Sequence, residues 1–311
     1  MKERPEGRLE WDDRNKYNSF NSYKGLVYLS HYKAIINWLK GKEELLPPIE
    51  CSLDPAHACN LSCGHCNAQR YLKLNKEEIP AGNKVMAKNH LRNLIDFLSG
   101  WGVKGVCIGG GGEPLVNRNI WQFLPYIKQR GMQSSLVTNG TLIDGQMIEE
   151  MMNCRWIGVS VDVGDRKTFL KVHGADLFDK VINNLRLLVE KKKKTNSQVE
   201  IAYKMLVRPD NIDSIFPACK LAKKIGVRDF HVRPVDLERK DFKAAIELNY
   251  NIPKILKIFK QCHAMETESF RVFTIMHKYD HNFRVKHHFR RCLSSPLMIQ
   301  CCSDGDGYLC A

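Results

Sequence analysis

No apolar run in this chain approaches the ~20 residues a helix needs to cross a bilayer, so a helical membrane span is not expected. The opening residues, Met1-Lys2-Glu3-Arg4-Pro5-Glu6, are charged and have no apolar core behind them, unlike a secretory signal. A cytosolic location is therefore expected. No internal repeat or low-complexity tract stands out beyond one lysine run, which gives no support to a solenoid. Acidic residues are also scarce: 34 Asp and Glu against 48 Lys and Arg leave a formal net charge of +14. Such an excess suggests an anionic partner (a nucleic acid, a phosphorylated metabolite or an acidic peptide) without choosing among them.

What the chain does have is cysteine. It holds twelve in 311 residues, a high number for a reducing compartment, where clustered cysteines read as metal ligands or catalysts before disulfides. Three sit close together at 59, 63 and 66. Four more, Cys292, Cys301, Cys302 and Cys310, fall in the last twenty residues. The scattered Cys51, Cys107, Cys154, Cys219 and Cys262 lie in apolar segments and read as small buried hydrophobes.

From about residue 50 to 240 the pattern alternates strand and helix. Strands are expected at 49–53, 103–108, 133–138, 156–162, 199–207 and 229–232. Helices are expected at 84–98, 119–129, 143–153, 177–191 and 212–225, with Gly131 and Gly226 as stop signals. Six strands separated by helices imply a parallel sheet of right-handed βαβ units, either a full or partial (β/α) barrel or an open doubly wound sheet. Both architectures bind ligands at the C-terminal ends of their strands. Polar and glycine-rich residues gather at those ends: the cysteine loop, Gly109 to Gly112, Thr138-Asn139-Gly140 and Asp162. The chain divides into an N-terminal extension (1–48), the α/β core (49–240), and a C-terminal part (241–311) with a helix from 242 to 262 and a cysteine-rich tail.

Two places concentrate positive charge. Lys191 to Lys194 read as a solvated helix end, where cations complement the dipole. The stretch 271–291 holds six Lys/Arg and four His against Asp280, with interleaved aromatics. It reads either as a grip for a polyanion or as a basic exposed linker.

The loop Cys59-Asn60-Leu61-Ser62-Cys63-Gly64-His65-Cys66 has C-x3-C-x2-C spacing. Three thiolates on a tight loop can each hold one iron of a cubane, leaving the fourth iron open to a small chelating ligand. Two rivals carry less. Cys63-Gly64-His65-Cys66 is a dithiol of the kind found in disulfide isomerases, but such a motif opens a helix in a small domain of an oxidising compartment. A structural zinc site is the other. The second constellation is Gly109-Gly110-Gly111-Gly112-Glu113-Pro114, whose glycines let backbone pass close to a ligand.

Together, Cys59-x3-Cys63-x2-Cys66, Gly-Gly-Glu-Pro about forty residues on, Thr138-Asn139-Gly140 and Ser160-Val161-Asp162 resemble the radical S-adenosylmethionine superfamily over roughly residues 49–236. The resemblance implies a partial (β/α)6 barrel. It also implies a [4Fe–4S] cluster on Cys59, Cys63 and Cys66, with S-adenosylmethionine as second cofactor and a flavodoxin- or ferredoxin-like one-electron reductant as partner. Gly110, Gly111, Gly112 and Glu113 would receive the methionine amino group. Ser160 would approach the ribose or methionine portion, with Asn139 and Asp162 as further contacts. Lys204 would meet the methionine carboxylate, unless it faces outward. Arg233 would hold a substrate carboxylate or phosphate, or else pair with a nearby acid. Many members carry an aromatic where this chain has His65. The implied reaction is reductive cleavage of S-adenosylmethionine and hydrogen abstraction from a substrate.

The tail, Cys292-x12-Gly305-x4-Cys310, looks like the opening of the SPASM or twitch extension, which carries auxiliary iron–sulfur clusters. Asp304-Gly305 is expected to turn a hairpin that brings Cys292 and Cys310 together, with Cys301 or Cys302 completing one auxiliary cluster or the site taking another metal. The tail's resemblance to peptide-modifying members makes a peptide the first expectation for substrate. A nucleotide, tRNA or phosphorylated sugar is the second. A non-catalytic iron–sulfur or zinc module on nucleic acid is the third.

Overall fold

The computed structural model describes residues 29–42, 47–66, 68, 84–235, 250–275 and 297–309. Helix α1 (Leu29–Leu39) precedes strand β1 (Glu50–Leu53). Then follow α2 (Lys88–Trp101), β2 (Gly105–Ile108), α3 (Leu124–Gln129), β3 (Gln133–Thr138), α4 (Gly145–Met151) and β4 (Trp156–Ser160). Next come α5 (Arg166–His173), α6 (Phe178–Thr195), β5 (Glu200–Val207), α7 (Ile215–Ile225) and β6 (Asp229–Pro234). The C-terminal part contributes α8 (Ile252–His263), β7 (Arg271–Thr274), β8 (Met298–Cys301) and β9 (Gly307–Tyr308).

The six expected strands lie side by side in chain order and pair in parallel. The sheet has the order β7-β6-β5-β4-β3-β2-β1-β8-β9 and does not close, so the architecture is a partial barrel. Two strands come from segments read otherwise in the sequence. β7 extends the β6 edge in parallel, so the start of the basic stretch is sheet and not linker. β8 pairs in parallel with β1, and β9 folds back on it as the expected hairpin. Thus the tail's first strand is part of the core sheet. Helix α5 was absent from the expected pattern. The 119–129 segment is a 3₁₀ turn (Ile120–Phe123) running into α3, because Pro125 suits only a first helical turn. In the 242–262 segment the helix begins at Ile252, with Pro253 in its first turn, and residues 242–249 lie outside the described residues.

Burial alternates along the strands. In β1 and β2, Cys51, Leu53, Val106 and Ile108 are buried while their neighbours are only partly covered. The buried face packs under helices, the other face is concave and partly open. Helix α2 shows why its sequence folds there: Leu91, Ile95 and Leu98 recur on one face and are fully buried. Each contributes about 1.5–3 kcal/mol by leaving water. Helix α6 buries Val181, Leu185 and Leu188 and ends in Lys192, Lys193 and Lys194. This is the solvated, dipole-complementing end expected, with Lys191 paired to Glu149. Cys51, Cys154, Cys219 and Cys262 are buried core residues as expected, whereas Cys107 lies half-buried on the concave face.

At the β5–β6–β7 edge, Arg271 Nε donates to Asp229 Oδ1 at 2.7 Å and its Nη2 to Glu200 Oε2 at 3.1 Å. Burial alone would raise the Asp229 carboxyl, but hydrogen bonds from His231 and Arg271 hold it below its ordinary value. A depressed folded-state pKa contributes stability that is present above the unfolded value and lost as pH falls through the folded one. Arg271→Ala should therefore cost about 1–3 kcal/mol at neutral pH in denaturant melts, by leaving a buried charge unpaired. The gap to wild type should narrow once the pH falls below ~4; a gap unchanged with pH would show that Asp229 is not its source.

Candidate functional site

The parallel register sets the ends of β1 to β6 along one rim, and the loops leaving that rim converge on the cysteine loop. The entrance of this loop is anchored first: His57 N donates to Lys84 O, Met86 N to Pro55 O, and the buried Asn117 amide to both Pro55 O (3.1 Å) and Met86 O (2.9 Å). Cys59 is exposed, Cys63 and Cys66 are half-buried, and all three are free thiols. Burial pushes Cys63 up to about 12, with the negative charges of Asp162, Cys59 and Cys66 adding to the shift. Burial likewise raises Cys59, and Glu113 and Cys66 add to it. The shifts at Cys59 and Cys63 penalise their thiolate forms, and a cation held between the sulfurs would offset that penalty. The donor set, three thiols with no disulfide among them, fits a [4Fe–4S] cluster with one open iron.

The glycine loop presses on the cysteine loop from the β2 side. Gly110 sits at φ 106°, where a Cβ would fall 1.3 Å from Asp54 Oδ1. A Cβ on Gly112 would lie 2.2 Å from Ala56 O and 2.4 Å from Ala58 O. Gly111 N donates to Asp54 Oδ2 at 2.9 Å, and Glu113 N donates to Ala58 O at 2.9 Å. The Glu113 side chain is buried and turned toward β3. Its Oε1 accepts from Thr138 Oγ1 (2.6 Å) and Leu115 N (3.1 Å), and its Oε2 from Asn139 N (2.7 Å). Burial still wins over these donors and raises Glu113 to about 7. With three donors supplied by the protein, this carboxylate holds the β2 and β3 loops together.

Asn139, after β3, reaches the cysteine loop: its Nδ2 donates to Asn60 Oδ1 at 3.0 Å, and Asn60 Nδ2 donates to Thr141 Oγ1 at 2.7 Å. Asp162, after β4, is buried at φ 64°. Its Oδ1 accepts from Leu206 N at 2.7 Å, and its Oδ2 lies 3.5 Å from Nε2 of both His65 and His173. Burial would raise Asp162, yet the His65 hydrogen bond and the two histidines' charge keep it below its ordinary value. His173 Nδ1 lies 3.0 Å from Cys63 Sγ. Sequence reading gave no role to His173 or Asn60, and named Thr138 only as part of the Thr138-Asn139-Gly140 motif. His173 sits on the unexpected α5, whose signals were the Asp165 cap accepting from Thr168 N and Gly174 at its end.

Ser160 pairs with Lys204 across β4 and β5. Lys204 lies on the concave face, not outward, and lines a cavity of about 760 Å³ with Arg155, Trp156, His231, Arg233 and Phe273. Arg233 is within β6 and not beyond it. The rings of Trp156 and His231 are 5.5 Å apart, and those of His231 and Phe273 are 4.8 Å apart. In the tail, the free thiols of Cys301 and Cys51 share a hydrogen bond inside the sheet, and Cys302 lies beside Asp54 and His57. Cys292 and Cys310 lie outside the described residues, as do the Lys and Arg residues beyond 275 in the basic stretch. No helix among the described residues is long and apolar enough to cross a membrane.

An open parallel α/β sheet with three free thiols on its first loop and a glycine loop packed against them is the architecture of a radical S-adenosylmethionine domain. Residues 53–202 match the model of the radical SAM superfamily, so this part of the chain is a radical SAM domain, of a family whose cofactors are a [4Fe–4S] cluster and S-adenosylmethionine. Among curated relatives it is 26% identical over 192 residues to a probable GTP 3′,8-cyclase of Saccharolobus islandicus (strain M.14.25 / Kamchatka #1), covering 60% of this chain and 58% of that protein. It is 33% identical over 130 residues to the Fe-coproporphyrin III synthase of Methanosarcina barkeri (strain Fusaro / DSM 804), covering 41% of this chain and 30% of that one. The fold resembles Streptococcus suis SuiB, solved with its precursor peptide SuiA, at a TM-score of 0.64 and 16% identity over 91% of this chain and 64% of that one. The chain thus spans under two thirds of each of these proteins.

Gly112→Ala would drive a methyl into two backbone carbonyls. It should cost about 1–3 kcal/mol in the metal-free protein and lower iron retained after reconstitution. Gly100→Ala on α2, where a Cβ meets nothing within 4 Å, is the control and should hold both values. Equal iron and stability in the two variants would refute the close-packed loop.

Proposed function

We propose that this chain reductively cleaves S-adenosylmethionine at a [4Fe–4S] cluster held by Cys59, Cys63 and Cys66, and turns the resulting 5′-deoxyadenosyl radical on a C–H bond of a compact anionic substrate in the concave cavity. The observation that supports this most is the bracing of the thiol loop by the following strand ends: Ala58 by Glu113 N, Asn60 by Asn139, His65 by Asp162. A loop held at three points keeps three thiolates in fixed positions without secondary structure of its own, which is the preorganisation a cofactor site needs. Gly110 to Gly112 expose backbone beside that loop for the methionine amino group, and Lys204, the register partner of Ser160, offers a cation to its carboxylate. The electron comes from a flavodoxin- or ferredoxin-like partner.

For the substrate, the cavity's size is within the usual range for small-molecule sites, ~300–1,000 Å³. Arg155, Lys204 and Arg233 carry positive charge into it against Glu50 and Glu200, a net excess of one cation, and the Trp156–His231–Phe273 row offers ring faces. A nucleotide or phosphorylated sugar matches this lining, with Arg233 on the phosphate. The likeness to SuiB favours a second reading, a peptide entering along the same open face.

Anaerobic reconstitution with iron and sulfide, then dithionite and S-adenosylmethionine, should yield 5′-deoxyadenosine from wild type and none from C59A/C63A/C66A. A fully loaded, reducible wild type that makes none would leave a non-catalytic metal module as the reading. With nucleoside triphosphates added, one should speed 5′-deoxyadenosine formation in wild type, and Arg233→Ala should weaken its half-saturation by about 10–100-fold, the loss of one charge-assisted hydrogen bond. Indifference to every nucleotide, with acceleration by a co-encoded peptide, would transfer the assignment to the peptide.

A further inference from the structure

The three thiols of the loop are not the only ligand-type residues at the rim. Asp54 is the residue after β1, His57 follows three positions later, and Cys302 is the residue after β8. Because β8 pairs with β1 in register (Leu53 with Cys301), Asp54 and Cys302 stand side by side just past the paired ends. Asp54 N donates to Cys301 O at 2.8 Å, which carries the ladder one step further. All three side chains are nearly inaccessible, with Asp54 at 2%, His57 at 5% and Cys302 at 4% exposure. A carboxylate oxygen, an imidazole nitrogen and a thiol sulfur from them lie within 4.8 Å of one another.

Asp54 supplies the second observation. Its Oδ2 is taken by Gly111 N at 2.9 Å and by Gln300 Nε2 at 3.1 Å. Its Oδ1 is buried and accepts no hydrogen bond among the described residues. A buried carboxylate oxygen without a donor is costly, and a thiol beside it cannot ionise cheaply unless a cation is shared between them. We propose that Asp54, His57 and Cys302 form a mononuclear site for a divalent transition metal, zinc by preference, distinct from the one at Cys59, Cys63 and Cys66.

The donor set decides the class. One oxygen, one nitrogen and one sulfur suit tetrahedral zinc with a fourth position for water or a small ligand. Iron–sulfur clusters are held chiefly by cysteine thiolates, so this triad is not an auxiliary-cluster site. Closing onto a metal brings neighbouring ligand atoms to about 3.3–3.8 Å, a small inward rotation from the separations present. The adjacent Cys301 takes no part, since its thiol is engaged in a hydrogen bond with Cys51 inside the sheet. A metal here would fasten the C-terminal hairpin to the root of the cysteine loop, two residues before Cys59. The inference does not depend on the radical reaction.

The test uses the full chain carrying C59A/C63A/C66A, stripped with chelator and titrated anaerobically with cobalt(II), whose thiolate complexes absorb by charge transfer. The expected result is one tight cobalt per chain with that absorption, displaced by zinc, retained in Cys301→Ala and abolished in Cys302→Ala. The same site should add one zinc per chain to the reconstituted wild-type protein in metal analysis. Absence of the band in protein that is folded by circular dichroism would overturn the site. So would a band that survives Cys302→Ala, or one lost instead on replacing Cys292 or Cys310. If Cys302→Ala does not fold, His57→Gln decides: cobalt affinity should fall by about tenfold or more, and an unchanged affinity rejects the assignment.

Discussion

Everything at the rim depends on the hydrogen bonds that tie a loop with no regular structure of its own to the strand ends around it. The cysteine loop runs from Asp54 to Cys66, and its backbone or side chains are held in turn by Gly111, Glu113, Asn139 and Asp162. The ties come from the ends of three strands, β2, β3 and β4, so the loop is fixed by the sheet's register and not by its own sequence. The glycines are part of the same constraint. Without side chains at 110 and 112 the β2 loop can approach closely enough for its amides to reach Asp54 and Ala58.

Three carboxylates at this rim, Asp54, Glu113 and Asp162, are buried, and their environments separate them. Asp162 faces two histidines and stays below its ordinary pKa. Glu113 faces only neutral donors and is raised to about 7 by burial. Asp54 is raised by burial as well, against donors from Gly111 and Gln300. The first is an anionic brace between His65 on the cysteine loop and His173, which touches Cys63. A hydrogen bond to a ligand sulfur is one of the levers that sets a cluster's potential. The second joins neighbouring loops, and the third lies where the tail meets the core.

The two faces of the sheet divide the labour. The helix-covered face is apolar and close-packed, from Leu53 and Ile108 to Val207. The concave face carries Lys204, Arg233, His231 and Trp156 around an open cavity. The period-2 alternation of a strand makes this possible, because one residue of each pair packs into the core and the next lines the cavity. Lys204 and Ser160 come together only because β4 and β5 pair in the register they do.

Much of this was legible in the residues themselves. The alternation of apolar strands and amphipathic helices specified six parallel strands, since local periodicity is all that such units require, while their order in the sheet came from the tertiary structure. The spacing of Cys59, Cys63 and Cys66 and the glycine run before Glu113 identified the cofactor chemistry, because both are short-range patterns. Helix α5 escaped because it is eight residues long and one of its three buried residues is the polar His173. β7 and β8 escaped because they lie outside the strand–helix alternation of 50–240, β7 at the start of the basic stretch and β8 in the cysteine-rich tail. Which of the twin cysteines faces Cys51 and which faces Asp54 and His57 was decided by the tertiary structure alone. Gln300 and Asp54 are 246 positions apart, and only the pairing of β8 with β1 brings the tail to the root of the cysteine loop. A sequence specifies local geometry through the chain's own bonds, while contacts between distant segments exist only once the hydrophobic face of the sheet has been buried and its register set.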